Sequence, residues 1–375
     1  MSQNYDKKFI SYALNLAKKN LGITAPNPVV ACVIVKNDKI ISTGITAKNG
    51  RPHAEKIAID KISLDENGRK ILENSTLYVT LEPCSHFGQT APCVDEIIKN
   101  KIKKVVIATS DIDERVNGKG IEKLLSAGIE VVVGVMEKEA QEINKGFFKS
   151  KKSGIPYITL KIASSLDGKI ATKNFDSKWI TSEAARYFSQ SLRAKNDAIM
   201  VGANTVKKDN PSLDCRISGL EDYSPKRVII AGDLNFDEQL KIFQTALEIP
   251  TIILTYEQDF DTKKLKDLGV EIIFLPKNNN VENNKIDLLE ACKKLSAQGI
   301  NSVLIEGGQN LATQFLQENL VDELVWIRNK KIIGNDGIAA IGELGLSSIK
   351  EALSGFEKKE TQILEEDIIE IFRKI

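Results

Sequence analysis

Two side chains of catalytic interest are scarce in these 375 residues: there are two histidines, His53 and His86, and five cysteines, Cys32, Cys84, Cys93, Cys215 and Cys292. Five scattered cysteines are too few for a disulfide framework, and in a reducing compartment any that cluster point to metal binding or catalysis. Only Cys84 and Cys93 cluster. Charge of one sign is also lacking, with 52 basic and 51 acidic residues, so no global field draws the chain to nucleic acid or anionic lipid. Aromatic residues make up 6% of the chain, which argues against a base-stacking groove. Nowhere do eighteen apolar residues run together, so no spanning helix is expected. The opening "MSQNYDKKFISYALNLAKK" holds no apolar run of signal-peptide length, and the expectation is a cytoplasmic protein acting on a small molecule, without nucleic-acid or membrane partners.

What is present is alternation. "VVACVIV" (29–35), "STLYVTL" (75–81), "KKVVIATS" (103–110) and "IEVVVGV" (129–135) are short, rich in Val and Ile, and bounded by turn formers, so they read as buried strands. Helical patterns separate them at "HAEKIAIDKI", "PCVDEIIKN", "GIEKLLSAG" and "EKEAQEINKGFF". This order predicts a mainly parallel sheet with helices on both faces. The tract "KSKKSGIPY" interrupts the pattern, placing a boundary between domains 1–149 and 150–375. The second half resumes with strands "DAIMVG", "RVIIAG", "TIILTY", "VEIIFLP" and "NSVLIEGG", with helices such as "SEAARYFSQSLRA" and "DLLEACKKLSAQG" between them, and reads as a second α/β domain. "PKNNNVENNK" (276–285) reads as an exposed loop.

His53 opens "PHAEKIAI", with Glu55 two positions later; Pro52 sits where a helix should begin, placing both in its first turn. "APCVDEII" repeats the construction, with Cys93 at the positive end of a helix that favours the thiolate, and Cys84 follows the strand "STLYVTLE". One histidine and two thiolates leave a fourth zinc position open to water, as catalytic rather than structural sites do. Glu55, which has no place as a ligand, is then free to carry protons, the arrangement of zinc deaminases. Each element alone is commonplace: His-x-Glu arises by chance, and cysteines pack in cores. Their conjunction is not. A closed structural zinc site would need His86 as its fourth ligand.

The eight residues between Cys84 and Cys93, "SHFGQTAP", form a loop over such a site. With "HAE", "EPCSHFGQTAPC" and "APNPVVACVIV", the chain resembles the bifunctional pyrimidine deaminase/reductases of riboflavin biosynthesis, along essentially its whole length. The resemblance implies a cytidine-deaminase-like three-layer α/β/α domain, followed by a dihydrofolate-reductase-like α/β domain. The first would deaminate a diamino-ribosylaminopyrimidinone 5'-phosphate; the second would reduce the ribosyl chain of the product to ribityl with NADPH. It places Asn27 and His86 against the deaminase substrate. In the second half it rests on "LKIASSLDGKIA", "SKWITSEAARYFSQSLRAKNDAIMVGANTVKKDNPSL" and "SVLIEGGQNLATQFL". There it assigns Lys161, Ser177, Thr181, Arg193, Asp209, Leu213, Arg216 and Glu306 to substrate, and Ala163, Trp179, Thr205, Asp209, Gly307 and Gly308 to NADPH. It also implies a homo-oligomer. The residues agree in part: strand, Gly-Gly turn and helix at "LIEGGQNLATQ" offer backbone N–H groups to a phosphate, and guanidinium forks at Arg193 and Arg216 suit phosphate oxygens. Asp167 in "SLDG" fits a turn.

The chain departs from the family pattern at Ala31, where Gly is usual, at Gln89, where Arg is, and at 111–114, where "DIDE" replaces Asp-Pro-Asn-Pro. Ala231 stands for an acidic residue, and 329–330 for Ala-Pro. Three alternatives follow: a deaminase with a weakened or non-reducing second domain, a tRNA or other nucleic-acid base deaminase, and a zinc-stabilised protein that senses a nucleotide without turnover.

Overall fold

The computed structural model describes residues 2–63, 66–88, 91–113, 116–256, 262–276 and 286–375, in two compact units, Met1–Gly154 and Ile155–Ile375. Gln89, Glu114 and positions 277–285 of the expected loop lie outside the described residues.

The first unit runs α1 (Ser2–Ala17), β1 (Ala31–Lys36), β2 (Lys39–Ile45), α2 (Ala54–Asp60), α3 (Glu66–Leu72), β3 (Thr76–Val79), α4 (Cys93–Lys99), β4 (Lys104–Ile107), α5 (Lys119–Ser126), β5 (Glu130–Val133), α6 (Glu137–Ile143) and α7 (Lys145–Ser153). Its sheet has the order β2-β1-β3-β4-β5. The pairs β3/β4 and β4/β5 are parallel as expected, but β1 is antiparallel to both of its neighbours. Towards β2 the cause is local: Asn37 and Asp38 both take positive φ, 48° and 63°, and turn β1 straight back into β2, a tight hairpin whose twist suits paired strands. Strand alternation sorts the core into two layers. Cys32, Ile34, Leu77, Val79, Val105 and Ile107 pack on Ala58, Ile97 and Leu124 of α2, α4 and α5. Ala31, Val33, Val35, Tyr78 and Val106 face Phe9, Ile10 and Leu14 of α1 and Ala140 of α6. Each buried Leu or Ile contributes about 1.5–3 kcal/mol. α2 comes so close to the sheet that a Cβ on Gly44 would lie 2.0 Å from the Ala54 carbonyl oxygen, so only glycine fits there. α7 runs through the lysine-rich tract to Ser153 and stops at Gly154, in the left-handed region at φ 72°, where the first unit ends, within the interrupting tract "KSKKSGIPY".

The second unit runs β6 (Tyr157–Ser164), β7 (Lys169–Ala171), α8 (Glu183–Ala194), β8 (Ala198–Gly202), α9 (Ala203–Asp209), β9 (Lys226–Ile230), α10 (Lys241–Gln244), β10 (Thr251–Thr255), α11 (Lys263–Asp267), β11 (Val270–Phe274), α12 (Leu288–Ala297), β12 (Ser302–Ile305), α13 (Gln309–Gln317), β13 (Glu323–Asn329), β14 (Ile338–Ala339), β15 (Phe356–Leu364) and β16 (Asp367–Lys374). Nine strands form one sheet, ordered β11-β10-β9-β8-β12-β6-β13-β16-β15. It is parallel from β11 to β13, and the β15–β16 hairpin closes one edge antiparallel. Helices α12 and α13 cover one face through Leu288, Leu295, Leu311 and Phe315. The other face packs Ile199, Val201, Ile229 and Ile253 against Val206 of α9, Phe243 of α10 and Leu265 of α11. Parallel strands buried on both faces explain the near-continuous apolar runs at β8, β9 and β10. No described helix is long and apolar enough to cross a membrane.

Candidate active sites

In the first unit, three ligand atoms converge. His53 Nδ1 lies 3.6 Å from Cys84 Sγ and 3.4 Å from Cys93 Sγ, and all three lie within 4.8 Å of one another. Zinc bonds of about 2.0–2.1 Å to nitrogen and 2.3 Å to sulfur at a tetrahedral angle put nitrogen and sulfur roughly 3.5 Å apart, so the spacing fits. His53 is not inside the first turn as expected. α2 begins at Ala54, and His53 is its N-cap, extended at φ −70°, ψ 156°. Cys93 does open α4, with Pro92 as N-cap. The N–H of Cys93 donates to Cys84 Sγ at 3.3 Å and that of Val94 to the Cys84 carbonyl at 3.2 Å, so the start of α4 supports the thiolate of Cys84.

The electrostatics suit a bound cation. Hydrogen bonding with Cys93, supported by His53, pulls the Cys84 thiol down to about 4, while the same contact and burial push Cys93 up. Two adjacent sulfurs cannot both ionise unless a positive ion stands between them. Soft thiolates beside an imidazole are a zinc donor set. Glu55 is 4% exposed, and burial pushes its carboxyl up to about 7. It is thus poised to take or give a proton near neutrality. Asn27 Nδ2 donates to the Gly50 carbonyl at 2.9 Å and lies 3.5 Å from His53 Nε2. His86 leaves Nδ1 buried with no protein partner among the described residues. Its Nε2 lies 4.0 Å, and the Arg51 guanidinium 3.3 Å, from where a Cβ on Gly88 would stand.

One residue that organises this site was missed. Glu82, the glutamate of "EPC", is 4% exposed and accepts four backbone N–H bonds: Asp111 (3.2 Å) and Gly118 (3.1 Å) on Oε2, Gly120 (3.0 Å) and Ile121 (3.3 Å) on Oε1. It ties the segment leading to Cys84 onto the N-terminus of α5. A Cβ on Gly120 would meet the Pro83 carbonyl at 2.3 Å, which shows how closely the two approach. Glu82→Gln turns an NH2 group towards two of these donors, and should lower the unfolding free energy of the first unit by about 2–4 kcal/mol, read by urea denaturation. An unchanged midpoint would refute that role.

In the second unit, Ile305 of β12 is in register with Leu160 of β6, so Glu306, directly after the C-terminal end of β12 where α/β sheets bind ligands, stands beside Lys161 within β6. Arg193 of α8 reaches them with a two-pronged contact: Nε to Glu306 Oε1 at 2.8 Å and Nη2 to Oε2 at 3.0 Å, with Lys161 Nζ 3.7 Å from Oε2. Burial alone would raise Glu306; Arg193 and Lys161 outweigh it and hold the carboxyl at about 2. Arg193 Nη1 also donates to the Asp214 carbonyl at 3.0 Å, which brings the segment of Leu213 and Arg216 to the cluster. The Arg216 side chain is exposed, 3.5 Å from Asp214 Oδ1. Asp209 is the last residue of α9.

Ser177 and Thr181 lie in the segment preceding α8, and neither hydrogen-bonds to the Lys161–Glu306–Arg193 group among the described residues. Gly308 caps α13, and a Cβ there would meet nothing nearer than Thr205 Oγ1 at 3.8 Å, leaving room beside the Gly307–Gly308 turn. Ala163 lies on β6. Trp179 is exposed, with the Arg186 guanidinium 4.4 Å over its ring. Lys331 holds the Trp179 segment by donating to the carbonyls of Trp179 (2.6 Å) and Ile180 (3.0 Å). Asp167 does more than turn the chain: it accepts from Ser165 Oγ and from the N–H groups of Ile333 and Gly334, bonds that hold its carboxyl at about 2. The departures have their own accommodation. Ala231 is buried among apolar neighbours, and Asn329 bridges Asp367 Oδ1 and the Lys331 N–H.

Residues 3–109 match the family model described as the cytidine and deoxycytidylate deaminase zinc-binding region, and residues 156–369 match the RibD C-terminal domain. The riboflavin biosynthesis protein RibD of Aquifex aeolicus is 43% identical over 374 residues, covering 100% of both chains. That of Escherichia coli is 36% identical over 358 residues, covering 92% of this chain and 94% of the relative. Among solved structures, Acinetobacter baumannii RibD (form 2) matches with a TM-score of 0.87 at 34% identity, covering 100% of both chains. A Thermotoga maritima diaminohydroxyphosphoribosylaminopyrimidine deaminase/5-amino-6-(5-phosphoribosylamino)uracil reductase matches with a TM-score of 0.86 at 34% identity, again covering 100% of both. With a zinc-type His-Cys-Cys trio in one unit and the reductase-domain match over the other, the chain belongs to the RibD family, the bifunctional deaminase–reductases of riboflavin biosynthesis.

Proposed function

We propose that the two activities divide between the two groups of residues. His53, Cys84 and Cys93 hold one zinc ion, which when bound supplies Lewis acidity at the amine-bearing pyrimidine carbon. Glu55 moves protons from the attacking water to the departing ammonia, while Asn27 and His86 orient the ring. The observation that carries this reading is the convergence of three ligand atoms within 4.8 Å beside a buried carboxylate.

In the second unit, Lys161, Arg193 and Glu306, with Ser177, Thr181, Asp209, Leu213 and Arg216, hold the phosphorylated aminouracil. Ala163, Trp179, Thr205, Asp209 and the Gly307–Gly308 turn hold NADPH, the hydride donor for the opened ribosyl carbon. Support comes from the charged cluster of Lys161, Arg193 and Glu306 and from the open strand–turn–helix junction at Gly308. Homo-oligomeric assembly in the cytoplasm belongs to the same reading, on family likeness.

Mass spectrometry of the products tests it. With the diaminopyrimidinone ribotide, replacing an amine by oxygen should add about one mass unit without NADPH, and hydride plus a proton about two more with it. The first shift alone would leave a deaminase with a non-reducing partner unit. Neither shift would turn the search to nucleic-acid bases.

A further inference from the structure

The segment after α9 takes an unusual path. Asn210 and Leu213 both have positive φ, 41° and 52°. For leucine, a branched residue whose side chain here is buried, that conformation is strained and persists only where the surroundings fix it. Two guanidinium groups do so from either side of Leu213. Arg193 Nη1 holds the Asp214 carbonyl at 3.0 Å, and Arg227 Nη1 holds the Ser212 carbonyl at 3.2 Å.

Arg227 is an odd residue to find there. It is 0% exposed on β9, yet its hydrogen-bond acceptors are all neutral: Thr251 Oγ1 (2.9 Å), Thr245 Oγ1 (2.7 Å), Ile249 O (2.8 Å) and Ser212 O. Burial depresses it to about 10, with Asp214 and Glu248 opposing. A fully desolvated cation without a carboxylate bond is a costly way to knit strands, which apolar residues would join as well. Three of the four acceptors belong to the end of α10 and the approach to β10. The fourth is the one contact that leaves that layer for the reductase segment.

We infer that Arg227 is a positioning residue of the reductase site: with Arg193 as the opposing jaw, it fixes Ser212–Asp214 in the strained turn, anchored in the core by Leu213, that carries the exposed Arg216 to the phosphorylated substrate. The inference rests on the reading that places 213–216 against that substrate. It concerns substrate geometry, so it separates from the NADPH positions at Ala163, Trp179 and the Gly307–Gly308 turn, which lie on other elements than the 210–214 turn.

The test uses the full-length zinc-loaded protein as Arg227→Lys and Thr245→Val, with the aminouracil ribotide supplied directly and urea unfolding confirming a folded sample. A single ammonium cannot span four acceptors, so Arg227→Lys should raise KM about tenfold or more, with kcat within about threefold. NADPH affinity, from fluorescence titration, should stay within about twofold. Thr245→Val removes one support of the same Nη1 and should raise KM about threefold in the same sense. If Arg227→Lys does not fold, Thr245→Val decides alone. Unchanged KM in folded variants overturns the inference, as does a parallel loss of KM, kcat and NADPH affinity, which marks general loosening of the sheet. Wild-type protein that binds NADPH but reduces nothing overturns the underlying reading and the inference with it.

Discussion

Replacing Glu55 by glutamine should leave zinc bound and lower deamination by about 10²–10⁴-fold, the usual contribution of a positioned acid–base group. Glutamine matches the volume of glutamate, so the packing around α2 persists, and none of the three ligand atoms belongs to residue 55. What disappears is the exchangeable proton. Hydrolytic deamination needs one proton removed from water and one delivered to the departing amine, and an amide at pH 7 can do neither. The carboxyl is well suited to both, since burial lifts it to about 7, while the neighbouring His53 charge draws it down. A dication at the trio would lower it further, so the acid limb of the wild-type rate profile should fall below pH 7 and vanish in the variant. Zinc content by elemental analysis and ammonia release give the two readouts. Reduction of directly supplied aminouracil ribotide is the internal control and should be unchanged. Deamination within about tenfold of wild type, with zinc retained, would remove Glu55 from the proton path.

The convergence of His53, Cys84 and Cys93 was legible in sequence because its signals are local: Pro-Cys at a helix start, His-x-Glu beside a proline, and a cysteine directly after a strand. The error at His53, one residue in the helix start, arose because the helix opens at Ala54, two residues after Pro52, leaving His53 as its extended N-cap. The hairpin between β1 and β2 was missed although Asn37-Asp38 is a turn signal, because β2 is half exposed and its pattern is diluted by Lys39, Ser42 and Thr43. β15 and β16 escaped for a similar reason. β15, "FEKKETQIL", is an edge strand with charges on both faces, the composition that protects an edge and also hides it from an apolar-run search. Glu82 and Arg227 were invisible in principle. Their partners are mostly backbone groups supplied by other elements, and no residue pattern encodes which carbonyl or N–H will arrive. The Lys161–Glu306–Arg193 group came from family likeness alone, since positions 161, 193 and 306 meet only through the register of β6 with β12.

Glu306→Gln should both abolish an acid-sensitive part of the protein's stability and cripple reduction. The wild-type carboxyl, about one-tenth exposed, titrates at about 2 in the folded protein against an ordinary 4.5. A depressed carboxylate contributes stability that is fully present above the unfolded value and is lost as pH falls through the folded one. The window is therefore 4.5 down to 2, and the difference amounts to about 3 kcal/mol. In the variant that slope should be missing, because glutamine does not titrate. At neutral pH the variant strands Arg193 and Lys161, whose side chains are 12% and 14% exposed, without their shared counter-charge, which costs about 3–5 kcal/mol. Arg193 then has less reason to remain aimed at the site. Its bond to the Asp214 carbonyl, and with it the placement of Leu213, should loosen, so KM for the aminouracil ribotide should rise along with a fall in kcat. Deamination by the first unit gives the reference: unchanged ammonia release with lost reduction would locate the damage in the second unit. An acid-unfolding profile of the variant that still slopes between pH 4.5 and 2 as the wild type does would show that other carboxylates carry that dependence.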